Sequence, residues 1–136
     1  MQTEPDMHKT LLPEGWPRPK GYANGIVAQG SQHIFCGGQI GWTPEEVFEH
    51  HDFVGQFKQA LINVRSVLAA GGAGPEHMTR MTWYITDRES YLANLREVGA
   101  TYREVMGKNF PAMSVVVVAG LIEAEALVEI EVTAVI

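Results

Sequence analysis

A single cysteine, Cys36, rules out any disulfide within the chain, and in the run Ile34-Phe35-Cys36 it reads as a small buried hydrophobe. No apolar run approaches the roughly 20 residues that a membrane-spanning helix needs. The first residues, Met1 to Lys9, are polar and lack the apolar core of a signal peptide, so a cytoplasmic location is expected, with no membrane partner. Basic residues are in deficit: 10 Lys and Arg stand against 16 Asp and Glu, for a net charge of -6. Without a basic stripe the chain lacks the electrostatic footprint of a nucleic-acid binder. The histidines are dispersed. His8, His33 and His77 are isolated, and the adjacent His50 and His51 point to different sides of any helix or strand, so no metal site is expected. Gly-x-Ser-x-Gly is absent. The glycine run Gly71 to Pro75 follows a helix and has no Lys-Ser/Thr after it, which makes it a helix stop and turn, not a phosphate loop.

What remains is the composition of one globular α+β domain spanning 1–136, with 1–7 as a flexible tail. His8 to Leu12 reads as a first strand, and Pro13 to Gly21 as a connecting loop. Ile26 to Gln29 and Gln32 to Phe35 read as a hairpin closed by Gly30-Ser31 in a type II′ turn. Gly37-Gly38 inside a strand indicates a bulge, or a group lying close to the backbone. Thr43 to Asp52 is a polar loop with a helical turn at Glu45 to Phe48. Phe53, Phe57, Leu61, Val64 and Leu68 recur at spacings of three and four, which predicts a helix stopping at Gly71-Gly72. Met78 to Ile85 is a strand. Thr86 to Glu89 fits a capping box, opening a second helix through Tyr91, Leu95, Val98, Tyr102 and Val105. Met113 to Ala119 and Leu127 to Ile136 complete the strands. In the last, Val128, Ile130, Val132 and Ala134 face one way, and Glu129, Glu131 and Thr133 the other. The expected order is β-β-β-α-β-α-β-β: one mixed six-stranded sheet with two helices on one face, the other face open. Glu129 and Glu131 are either a solvated edge or carboxylates placed for proton transfer on that open face.

Several segments together resemble the RidA/YjgF family of reactive-intermediate deaminases. They are Gly21-Tyr22-Ala23-Asn24-Gly25, Phe35-Cys36-Gly37-Gly38-Gln39-Ile40, Gln59 to Val64, Ala100-Thr101-Tyr102, Phe110-Pro111-Ala112-Met113-Ser114 and Val128 to Ala134. The match runs from about His8 onward. The resemblance implies a chorismate-mutase-like fold and a homotrimer whose open sheet faces meet in a central barrel. It also implies small-molecule ligands at the subunit interfaces and hydrolysis of imines and enamines, such as 2-aminoacrylate and 2-iminopropanoate, to a keto acid and ammonia without a cofactor. It assigns Glu129 the catalytic role of orienting or deprotonating water, Tyr22 a place in the pocket, and Gly37 and Gly38 backbone contacts to substrate. The family's carboxylate-binding arginine after Phe-Pro-Ala is Met113 here, its strand serine is Gly37, and its helix asparagine is Gly99. Losing a charge-assisted pair of that kind removes roughly 2–5 kcal/mol of binding. The resemblance therefore implies either a hydrolase with a shifted substrate or a ligand-binding trimer without chemistry.

Overall fold

The computed structural model describes residues 8–136, so the expectation of a flexible tail at 1–7 lies outside the described residues. Six strands and three α-helices follow in the order β1 (His8–Leu11), β2 (Gly25–Ala28), β3 (His33–Ile40), α1 (Phe53–Ala70), β4 (Met78–Ile85), α2 (Arg88–Ala93), α3 (Leu95–Met106), β5 (Ala112–Val117) and β6 (Val128–Val135). The four-stranded sheet has the order β3-β6-β4-β5. Its β4–β5 pair is parallel, joined by the helical crossover, and the other pairs are antiparallel.

The α1 stripe is buried as its spacing predicts. Phe53, Phe57, Leu61, Val64 and Leu68 join Met81, Trp83, Ile85, Val128, Ile130 and Val132 in one core. Asp52 caps the helix by accepting from the Gly55 N–H at 2.9 Å. The chain leaves the helix through Gly71 and then Gly72, the latter at a φ of 80°. Only α1 is long enough to be considered as a membrane span, and no helix among the described residues is both long and apolar enough to cross one.

One buried residue of α1 is polar. Gln56 is 0% exposed, and its amide Nε2 donates to the carbonyls of His50 (3.1 Å) and Glu125 (2.9 Å). Its Oε1 accepts from the Leu127 N–H at 2.8 Å. One side chain thus fastens the loop before α1 to the loop before β6.

Four expectations need correction. The six strands form two sheets instead of one: β1 and β2 pair with each other, and an isolated parallel bridge, Ala23 to Ala112, joins the segment before β2 to the edge of the larger sheet. Pro111, next to that bridge, has no N–H with which to extend it. The Gly30-Ser31 hairpin is absent, because β2 pairs with β1 and β3 pairs with β6 from His33↔Val135 onward. Ser31 and Gln32 both donate to the Ile136 carbonyl, at 2.9 and 2.8 Å, so the longer ladder takes the groups that a local turn would have used. The second helix is two helices. Asn94 interrupts it, its side chain donating to the Ser90 carbonyl at 2.7 Å, and the cap is Asp87, not Thr86. At 45–48 there is no helical turn: a turn at Thr43 to Glu46 closes through Glu46 N–H to the Thr43 carbonyl at 2.8 Å, with Glu46 at a φ of 64°.

Cys36 is buried at 4% exposure, and burial pushes its thiol from 9.0 up to about 11. The folded state therefore holds this proton more tightly than the unfolded state. The associated stability is complete below about pH 9 and is lost as the pH rises through about 11. A two-unit rise cuts the thiolate fraction at pH 8 by roughly a hundredfold. Alkylation by iodoacetamide at pH 8 is expected to be at least that much slower in the native protein than in urea. Equal rates in the two states would contradict the burial.

Candidate functional site

The strand registers sort the polar residues of the sheet onto the face away from the helices. Arg80 pairs with Thr133, Thr82 with Glu131, and Tyr84 with Glu129. Paired residues of adjacent strands share a face, so these six form one patch on the open side. Within it the Tyr84 hydroxyl donates to Glu131 Oε1 at 2.5 Å. That bond, with the negative charge behind it, raises the Tyr84 phenol.

Opposite Glu131 the β3 strand carries an extra residue: Cys36 pairs with Val132 and Gln39 with Ile130, so Gly37 and Gly38 together face one position of β6. This is the bulge expected from the glycine pair. The close approach is present too. A Cβ built on Gly38 would lie 2.1 Å from Glu129 Oε2 and 2.7 Å from its Cδ. The Glu129 carboxylate therefore rests on the backbone of Gly38, in space that only glycine leaves vacant. A Cβ on Gly37 would meet nothing within 4 Å, and Gly37 lines a separate shallow depression with Phe35, Arg80 and Thr82.

The other side of the sheet holds a cavity of about 420 Å³ between α3 and the β4–β5 edge, with Tyr22, Trp83, Tyr102, Arg103, Phe110 and Met113 in its wall. Met113 pairs with Met81 of the core, which places it on the helix side. Tyr102 stacks on Phe110 at 5.5 Å between ring centroids and donates to the Asn109 carbonyl. Burial raises its phenol. Trp83 is buried, and its indole Nε1 has no hydrogen-bond partner.

Of the residues singled out from the sequence, Glu129 and Gly38 are brought into contact, with Gly37 beside them in the bulge. Tyr22 and Met113 come together in the cavity. Within one chain the two sets lie on opposite sides of the sheet. Tyr84, Trp83 and Arg103 were not singled out. Thr82-Trp83-Tyr84 carried only a strand signal, although the need of a buried indole N–H for a partner made Trp83 worth marking. Among the described residues no three His, Cys, Asp or Glu side chains come together to hold a metal. His77 instead serves a cap, accepting from the Gly74 N–H at 2.9 Å.

Residues 17–136 match the family model described as Endoribonuclease L-PSP. A RutC family protein of Pyrococcus horikoshii is 31% identical over 128 residues, covering 92% of this chain and 95% of its own. Among solved structures, a protein of the conserved Rid family from Yersinia pestis, of unknown function, superposes with a TM-score of 0.85 at 26% identity. It covers 96% of this chain and 99% of that one. The YjgF gene product of E. coli superposes with a TM-score of 0.65 at 30% identity, covering 93% and 98%. With the same α+β architecture and a match over nearly its whole length, the chain belongs to the Endoribonuclease L-PSP family, the RidA/YjgF proteins.

Proposed function

We propose that this chain hydrolyses imines and enamines to a keto compound and ammonia, as a cytoplasmic homotrimer with its sites at the subunit interfaces. The observation that carries the reading is the Glu129 carboxylate seated on Gly38 at the β3 bulge. A protonated imine is already electrophilic, so no cofactor is required; the protein need only hold the substrate and aim a water at its carbon. Glu129 takes a proton from that water as the C–O bond forms. It returns that proton to the carbinolamine nitrogen, and as the C–N bond breaks the regenerated carboxylate takes the hydroxyl proton so that the C=O forms; the released ammonia carries that proton away as ammonium. Because the two sets lie on opposite sides of one chain's sheet, the ligand is bordered by Tyr22 and Met113 of one subunit, while Glu129 and the bulge glycines reach it from a neighbouring subunit across the interface. The exposed Phe35 among polar neighbours on the open face suits a subunit interface. Met113, in place of the family's arginine, shifts preference away from small imino acids.

The test is ammonia release from 2-iminopropanoate, generated in situ by an amino-acid oxidase, and from its bulkier homologues. Glu129→Gln is expected to lower the catalysed rate by about a hundredfold or more. A rate untouched by Glu129→Gln, with ligand still bound, would favour the second reading, a non-catalytic binding trimer. The apolar Met113 in the cavity wall is the observation behind that alternative. A nuclease role has little support from a chain of net charge -6.

A further inference from the structure

We propose that Arg103 is the anion anchor of the helix-side cavity, and that the ligand it selects is a monocarboxylate with a bulky apolar or aromatic body. The inference deepens the proposed function by naming its substrate class, and it rests on that reading only for treating this cavity as the ligand site.

The cavity is of a size that holds a small organic molecule, and most of its wall is aromatic or aliphatic. Two cationic side chains, Arg103 and Lys20, also line it. Among the described residues neither forms an ion pair with a carboxylate, although the chain as a whole is acidic. An unpaired guanidinium beside an apolar cavity is a fork suited to a planar carboxylate.

Gly99 explains how Arg103 gets there. It lies four residues earlier on α3, so the two share a helix face. Glycine is a poor helix former, and Gly99 does not occupy the positive-φ conformation that would call for it. What it provides is room: a Cβ built there would already stand 3.4 Å from Arg103 Nη1. The guanidinium lies across the surface of Gly99, and a longer side chain would push it aside. The position that resemblance gives to a polar asparagine is thus vacated, and a cation from the next turn covers it.

Trp83 supplies the independent mark of a ligand. It lines the same cavity, it is buried, and its Nε1–H lacks an acceptor. Buried donors without partners are uncommon in folded proteins. The ring faces the cavity while Nε1 itself is covered by neighbouring atoms, so a ligand oxygen would satisfy it after a small shift of those neighbours, with the apolar body against Met113 and the rings of Tyr102 and Phe110. With the uncharged Met113 in the wall, the charge is read from the α3 side and the body from the sheet side.

Calorimetry with phenylpyruvate, and with phenylacetone as the same body lacking the carboxylate, tests this without turnover. Arg103→Met is expected to weaken phenylpyruvate at least tenfold and to leave phenylacetone within twofold. The Arg103→Met/Met113→Arg double variant is expected to recover most of the loss. The Trp83 indole ¹⁵N–¹H resonance is expected to shift on addition of phenylpyruvate. No binding of phenylpyruvate to the unaltered protein, equal weakening of both probes, or an unchanged phenylpyruvate affinity in Arg103→Met would each overturn the proposal. Phenylpyruvate binding that depends on Arg103, in a protein that releases no ammonia from any imine, would sink the hydrolase reading and leave this one standing.

Discussion

Replacing Gln56 with leucine is expected to lower the melting temperature by roughly 10–20 °C. Leucine keeps most of the volume, so the loss is polar and not a cavity. The amide of Gln56 satisfies two carbonyls, those of His50 and Glu125, and the N–H of Leu127, all through a side chain with no exposed surface. Each backbone group left unpaired in such a place costs about 1–3 kcal/mol, so about 3–5 kcal/mol together is a moderate sum. The surroundings leave little scope for relaxation. Gly41 packs so closely that a Cβ on it would stand 2.5 Å from the Gln56 Cβ. A thermal melt followed by circular dichroism reads the effect. A shift under about 3 °C would mean that water reaches these groups.

The second large effect separates function from stability. Under the proposed chemistry, Gly38→Ala is expected to reduce imine hydrolysis by about a hundredfold, as Glu129→Gln does. The melting temperature is expected to stay within a few degrees of the parent. The new methyl group would occupy the place of Glu129 Oε2, which lies 2.1 Å from the built Cβ. Glu129 is a flexible side chain on the open face, so it can swing away at little cost to folding. It would then no longer stand where water must be held. Adding Gly38→Ala to Glu129→Gln should produce little further loss, because both changes remove the same group. A fully active Gly38→Ala protein would show that the seat on Gly38 is irrelevant to turnover.

The sequence made some of this legible because the physics was local. Five apolar residues at helical spacing have one way to be buried together, and α1 forms around them. The alternation in β6 fixes which side Glu129 and Glu131 take. Gly37-Gly38 indicated a bulge or a close neighbour, and the structure holds both. Where distant groups compete, local signals misled. Gly30-Ser31 has the chemistry of a hairpin turn, yet the N–H groups of Ser31 and the following Gln32 are claimed by Ile136, far away in sequence. The helical period through Tyr91 to Val105 continues across Asn94 because apolar spacing does not record a side chain competing for a backbone carbonyl. Within the candidate site, Gly99 stood out only for the asparagine it lacks. Its relation to Arg103 emerges once the guanidinium is seen across it. The orphan N–H of Trp83 is a property of the packed interior and has no sequence signature.

The last strand in the chain is also an inner one: β6 lies between β3 and β4 and pairs with both. During synthesis, nearly everything up to Leu127 must emerge before the nascent chain can join β3 to β4. Until then the apolar stripe of α1 has no completed sheet to cover it. The ribosome therefore delivers a protein whose assembly waits on residues 128–135, and the interval before their arrival is when other chains can most readily capture its exposed surfaces.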